Sequence, residues 1–120
     1  VLLSPFGAQK PLLHFQRAKL LLEGELTSPD RADLLHSIVR PTAFFKSLSM
    51  QVGKVQRGSP FILFQRDDGS CMRSNPISGV DLAKYMVDCF NDVGRQNAVL
   101  DIGGPHEPIS MKRQRELIFE

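Results

Sequence analysis

Apolar positions divide the chain into short β-like runs and longer stretches with helical spacing. Val1-Leu2-Leu3-Ser4 is a compact apolar run and reads as a buried strand ending at Ser4. Residues 5–10 form a loop, and Pro11 suits the first position of a helix, where a missing N–H costs nothing. Leu12, Phe15, the stem of Lys19, Leu22 and Leu26 then recur at helical spacing, which predicts a helix of about fifteen residues with Phe15 on its core side. Thr27-Ser28-Pro29-Asp30 ends that helix. Residues 35–40 are a β-rich run stopped by Pro41, which biases Arg40 toward extended geometry.

The second half repeats the alternation. Residues 45–56 carry Phe45, Leu48, Val52 and Val55 on one helical face. Phe61-Ile62-Leu63-Phe64 and Cys71-Met72-Arg73 flank Asp67-Asp68-Gly69-Ser70, the pattern of a hairpin and its turn. Ser78 with Asp81 three residues on is a variant of the capping box, opening a helix over 80–91 that turns Leu82, Met86, Cys89 and Phe90 inward. Residues 98–102 form a last strand, and Gly103-Gly104-Pro105 leads to a closing helix from about Ser110. Strands alternating with helices predict an α/β domain with a mostly parallel sheet.

Composition narrows the picture by exclusion. The 120 residues are 42% hydrophobic and 23% charged, ordinary for a globular chain. A net charge of +2 does not argue for nucleic acid or an anionic membrane as partner. Cys71 and Cys89 form neither a CxxC pair nor a zinc spacing and read as reduced thiols. His14, His36 and His106 are scattered without metal-ligand spacing. Lys112-Arg113-Gln114-Arg115 is a solvated helix face. The chain opens on a strand without an initiator Met and contains no glycine-rich phosphate loop. The expectation is therefore a single partial domain over 1–120, the later part of a longer enzyme.

The candidate chemistry centres on Lys19. A lysine ammonium on a helix beside a sheet's carboxyl edge can donate to ribose hydroxyls and lower the pKa of a nearby acid. Taken alone, Lys19 reads first as a solvated side chain, which a single lysine on an amphipathic helix usually is. The ordered set of Ser4 at a strand end, Lys19 on the next helix and Arg40-Pro41-Thr42-Ala43-Phe44-Phe45 after the next strand resembles the short-chain dehydrogenase/reductase superfamily. Pro76-Ile77-Ser78-Gly79-Val80-Asp81-Leu82-Ala83 and Val99-Leu100-Asp101-Ile102-Gly103-Gly104-Pro105 resemble its atypical, NmrA-like branch. More narrowly, Gln9-Lys10-Pro11-Leu12-Leu13, Phe15-Gln16-Arg17-Ala18-Lys19-Leu20 and Ser37-Ile38-Val39-Arg40-Pro41-Thr42-Ala43-Phe44-Phe45-Lys46-Ser47-Leu48 are similar to a vinyl-reductase family of chlorophyll synthesis.

The resemblance implies the later part of a Rossmann-like, doubly wound sheet with a small hairpin and helix region on the substrate side. It implies NADPH as cofactor, a divinyl tetrapyrrole as substrate, and the plastid as location in a eukaryote. By matched position Lys19 and Ser4 are the candidate catalytic residues. Lys19, Pro41, Thr42, Ala43 and Phe44 are candidates for holding the cofactor, and Phe44 and Phe45 for facing the substrate. Phe15 stands where the superfamily has Tyr. A carbonyl reductase needs an acid beside a developing alkoxide, whereas a conjugated vinyl group makes no alkoxide. A non-catalytic, NADP(H)-binding regulator or assembly factor of the same branch is the alternative, since such proteins also lack the Tyr.

Overall fold

The computed structural model describes residues 1–120 and divides into two compact units. The first unit comprises Val1–Thr42 and Val80–Ile102, and the second Ala43–Gly79 and Gly103–Glu120.

In the first unit, strand β1 (Leu2–Leu3) is followed by helix α1 (His14–Leu26) and strand β2 (Ser37–Pro41). Strand β1 pairs parallel to β2, with Leu3 opposite Val39. The ladder continues through the amide of Ser4, which donates to the Val39 carbonyl at 2.9 Å. On its other side β2 pairs parallel to the late strand Ala98–Ile102 across five residues, Ser37 with Ala98 through Pro41 with Ile102. The parallel α/β expectation holds. Ile38 and Val39 are fully buried at the centre of this sheet, as β-branched residues on a doubly covered strand should be.

Pro41 ends β2 from inside the strand rather than from beyond it. The proline has no N–H to donate, and the ladder passes over it: the Thr42 amide donates to the Ile102 carbonyl at 3.0 Å. Helix α1 begins later than Pro11 suggests. The Gln16 side-chain oxygen accepts from the amides of Leu12 and Leu13, both at 2.9 Å, so these N–H groups are capped and the helical turns start at His14. Its apolar stripe is largely exposed. Phe15, Leu21 and Leu22 are open to solvent in this chain, and the residue buried on α1 is Glu23. Phe15, 55% exposed, is therefore not a core aromatic here.

Helix α3 (Gly79–Asp88, with α2 described below) turns Leu82 inward, and Cys89 just past its end is buried with its thiol donating to the Tyr85 carbonyl at 3.3 Å. Phe90, expected inward, is 68% exposed because α3 has already ended and the chain has turned away. Asn97 takes a left-handed conformation (φ 53°) and its side-chain oxygen accepts the His36 amide at 3.2 Å, fixing the entry into the last strand of the sheet.

In the second unit, strand β3 (Ala43–Phe44) runs directly into helix α2 (Phe45–Gln56), whose bounds match the apolar pattern. Strands β4 (Arg73–Ser74) and β5 (Pro76–Ile77) follow, and after the sheet strand β6 (Ala98–Ile102) come β7 (Ile109–Ser110) and helix α4 (Met111–Phe119). Strand β5 pairs parallel to β3, and β4 pairs antiparallel to β7. The expected hairpin shrinks to its turn. Asp68 accepts the Ser70 amide at 2.8 Å and Gly69 supplies the left-handed residue, but Gln65–Cys71 is the one bridge formed. Arg73 pairs with Ser110 instead of with residues 61–64, and its guanidinium donates to the Pro108 carbonyl at 2.6 and 3.0 Å. Ser110 caps α4 by accepting the Arg113 amide at 3.1 Å.

Candidate active site

The carboxyl ends of the three parallel strands bring polar residues to one level. Leu3 lies opposite Val39, so Ser4 comes level with Arg40, and Arg40 lies opposite Asp101. Register partners on neighbouring strands face the same side, which puts Ser4, Arg40 and Asp101 on one side of the sheet. Helix α1 delivers Glu23 to this level. The Arg40 Nε donates to Glu23 Oε1 at 3.2 Å and its Nη2 donates to Oε2, a two-pronged pair with side chains only 12% and 5% exposed.

Electrostatics at this pair follow from its partners. Burial by itself pushes the Glu23 carboxyl up, but the Arg40 hydrogen bonds, the nearby Ser4 hydroxyl and the Arg40 charge outweigh it and hold the group below its ordinary 4.5. Arg40 is pushed up in turn, first by its bond to Glu23 and further by the charge of Asp101. The Ser4 hydroxyl is buried and makes no hydrogen bond of good geometry, so its contact with Glu23 is an off-axis one.

Of the residues expected to carry chemistry, Ser4, Lys19, Pro41 and Thr42 belong to the first unit. Lys19 lies one helical turn before Glu23 on α1, is half-buried, and makes no ion pair. Ser4 directly follows β1 and Pro41 closes β2, both buried. Ala43 and Phe44, both half-buried, form β3, and the exposed Phe45 is the first residue of α2; these three belong to the second unit. Sequence reasoning passed over Glu23. Its signal was present: a carboxylate four residues after Lys19, on the helical stripe, paired with an arginine that ends a buried β run.

The second unit holds an apolar groove of about 360 Å³ between α2 and α4, lined by Phe45, Leu48, Val52, Ile109, Leu117 and Ile118. Gln114 is its buried polar member. The Gln114 amide nitrogen donates to the Ser74 hydroxyl at 2.8 Å and to the Ile109 carbonyl at 3.3 Å. No helix of the chain is long and apolar enough to cross a membrane.

A rice protein (Oryza sativa subsp. indica) named divinyl chlorophyllide a 8-vinyl-reductase, chloroplastic, is 49% identical over 121 residues, which covers 99% of this chain and 29% of the relative. Proteins of the same name from Zea mays (47%, covering 99% of this chain and 30% of the relative) and Arabidopsis thaliana (46%, 100% and 29%) match as well. This chain is similar along its whole length to the divinyl chlorophyllide a 8-vinyl-reductases. It spans about three-tenths of the length of these vinyl-reductases. No family model matches the chain, and no solved structure does.

Proposed function

We propose that this chain forms part of an NADPH-dependent reductase that converts the 8-vinyl group of divinyl chlorophyllide, or of a related divinyl tetrapyrrole, to ethyl in the plastid. The observation that carries the reading is identity of 46–49% along the whole chain to plant proteins of that name. Substitution of Phe15 for the superfamily's Tyr supports it chemically. Reduction of a conjugated vinyl group spreads charge over the macrocycle and creates no oxyanion, so a phenol poised for oxygen has nothing to serve.

The residues present suit the nicotinamide half of the cofactor. The Lys19 ammonium is unpaired and half-buried, as a donor to ribose hydroxyls needs to be. Ser4 offers a buried hydroxyl without a committed partner; Pro41 ends β2, Thr42 follows it, and Ala43 and Phe44 form β3. NADPH, when bound, supplies the hydride. Phe44 and Phe45 are the substrate-side candidates, and Phe45 also lines the apolar groove of the second unit, a surface of the kind a tetrapyrrole would favour. Protein at its natural length, incubated with NADPH and divinyl chlorophyllide, is expected to convert it to the monovinyl product; no conversion under conditions where the rice protein turns over removes the proposal. Binding of NADPH with no turnover favours the non-catalytic regulator.

A further inference from the structure

Lys19 and Glu23 are one turn apart on α1, and helical side chains lean toward the helix N-terminus, so position 23 shares a face with the turn that carries Lys19. A buried carboxylate must find a cation. Arg40 across the sheet edge is bonded to Glu23, and Lys19, four residues earlier on the same helix, is the cation that helical spacing sets beside it. Arg40 takes both carboxylate oxygens through its planar fork, and Lys19 is left without an ion pair. The other charged group facing Arg40 is Asp101, its register partner on β6, which adds to Arg40's retention at this level rather than competing for Lys19.

We infer that Arg40 is a positioning residue for the reaction: by occupying Glu23 it keeps the Lys19 ammonium from collapsing onto its own helix and leaves it free to bind the cofactor. The inference rests on the proposed role of Lys19, and goes beyond it by assigning a function to the buried pair. Arg40 thus contributes to cofactor binding without touching the cofactor. The planar two-pronged geometry matters because a single-point cation would leave one carboxylate oxygen open to Lys19.

The test is a double-mutant cycle on the NADPH KM, joined to the side-chain ¹⁵N spectrum of Lys19, in protein at its natural length. Arg40→Met is expected to raise the NADPH KM about tenfold, the loss of one charge-assisted hydrogen bond, with kcat within roughly twofold. Lys19→Met raises KM by about the same factor, and the two together by no more than the larger alone. Adding Glu23→Gln to Arg40→Met returns KM toward wild type. In Arg40→Met the Lys19 ammonium signal sharpens as exchange with water slows, and Glu23→Gln abolishes the sharpening. Additive KM losses for Lys19 and Arg40, or an unchanged ammonium signal in Arg40→Met, overturn the inference. Should Arg40→Met fail to fold, Arg40→Lys decides: one carboxylate oxygen becomes available and partial protection of the Lys19 ammonium is expected, and its absence overturns the inference. If Lys19→Met leaves the NADPH KM unchanged while the ammonium still sharpens in Arg40→Met, the guarding of Lys19 stands and the cofactor role of Lys19 falls.

Discussion

Gly104 offers the sharpest stability prediction. A Cβ built there would meet the Pro76 carbonyl oxygen at 2.1 Å, about 1.3 Å inside ordinary van der Waals contact. The obstacle is backbone held in β5, so no side-chain rotation relieves it. The same residue is tied twice to Asn75: the Gly104 amide donates to the Asn75 carbonyl at 3.1 Å, and the Asn75 amide nitrogen donates to the Gly104 carbonyl at 2.8 Å. Gly104→Ala must push these segments apart, at an overpacking cost of about 3 kcal/mol. That equals roughly a 150-fold loss of hydrogen-exchange protection. The loss should appear at the Gly104 and Met111 amides, the latter donating to Met72 at 2.9 Å, in native-state exchange at fixed pH. Gly24 is the internal control. It lies within α1 with nothing within 4 Å of its Cβ position, so Gly24→Ala should stabilise by about 1 kcal/mol. Equal protection in Gly104→Ala and wild type would show that the tight approach of β5 to residue 104 is not a feature of the folded chain.

Three further outcomes follow from the site and the sheet. Glu23 is held below its ordinary 4.5, so the unfolded state binds the extra proton; the pair's stabilisation is complete above that value and is lost as pH falls through the folded value. Urea midpoints between pH 3 and 6 should therefore fall less steeply in Glu23→Gln than in wild type, and parallel curves would refute the pairing. Asn97→Ala removes the bond to the His36 amide and puts a Cβ residue less tolerant of φ 53° at that position, costing about 1–2 kcal/mol, whereas Asn97→Gly should lose less; denaturant midpoints decide. Phe15→Tyr, at an exposed position, should change stability by under about 0.5 kcal/mol and leave the rate of vinyl reduction unimproved. A clear acceleration would mean that the reaction uses an acid at this position.

Local periodicity carried the helix α2 and strand β6 to their observed bounds, because their apolar signals are continuous. The parallel sheet was legible for a related reason: Ile38 and Val39 combine β-branching with flanking turn residues. The hairpin over 61–73 was not legible. Its turn chemistry is local and correct, but whether the flanking runs pair depends on partners far along the chain, and Arg73 prefers Ser110. The start of α1 depended on one side chain, Gln16, reaching back to two amides. Lys19 and Ser4 became candidates by matched position in the family resemblance, which did not single out Glu23. A buried carboxylate makes sense only once Arg40, seventeen residues later, is brought to it.

The division of the chain has a consequence for its synthesis. Each unit is built from two separated stretches, and the two alternate along the sequence. As the chain leaves the ribosome, the first unit has β1, α1 and β2 early but must wait for β6, whose entry residue Asn97 is 61 positions beyond the His36 it holds. The second unit begins meanwhile and also stays open until β7 and α4 emerge. Neither can be completed before the other has started, so no single cut separates one unit from the other. Their long-range pairings also favour slow closure of the sheet over early, local folding.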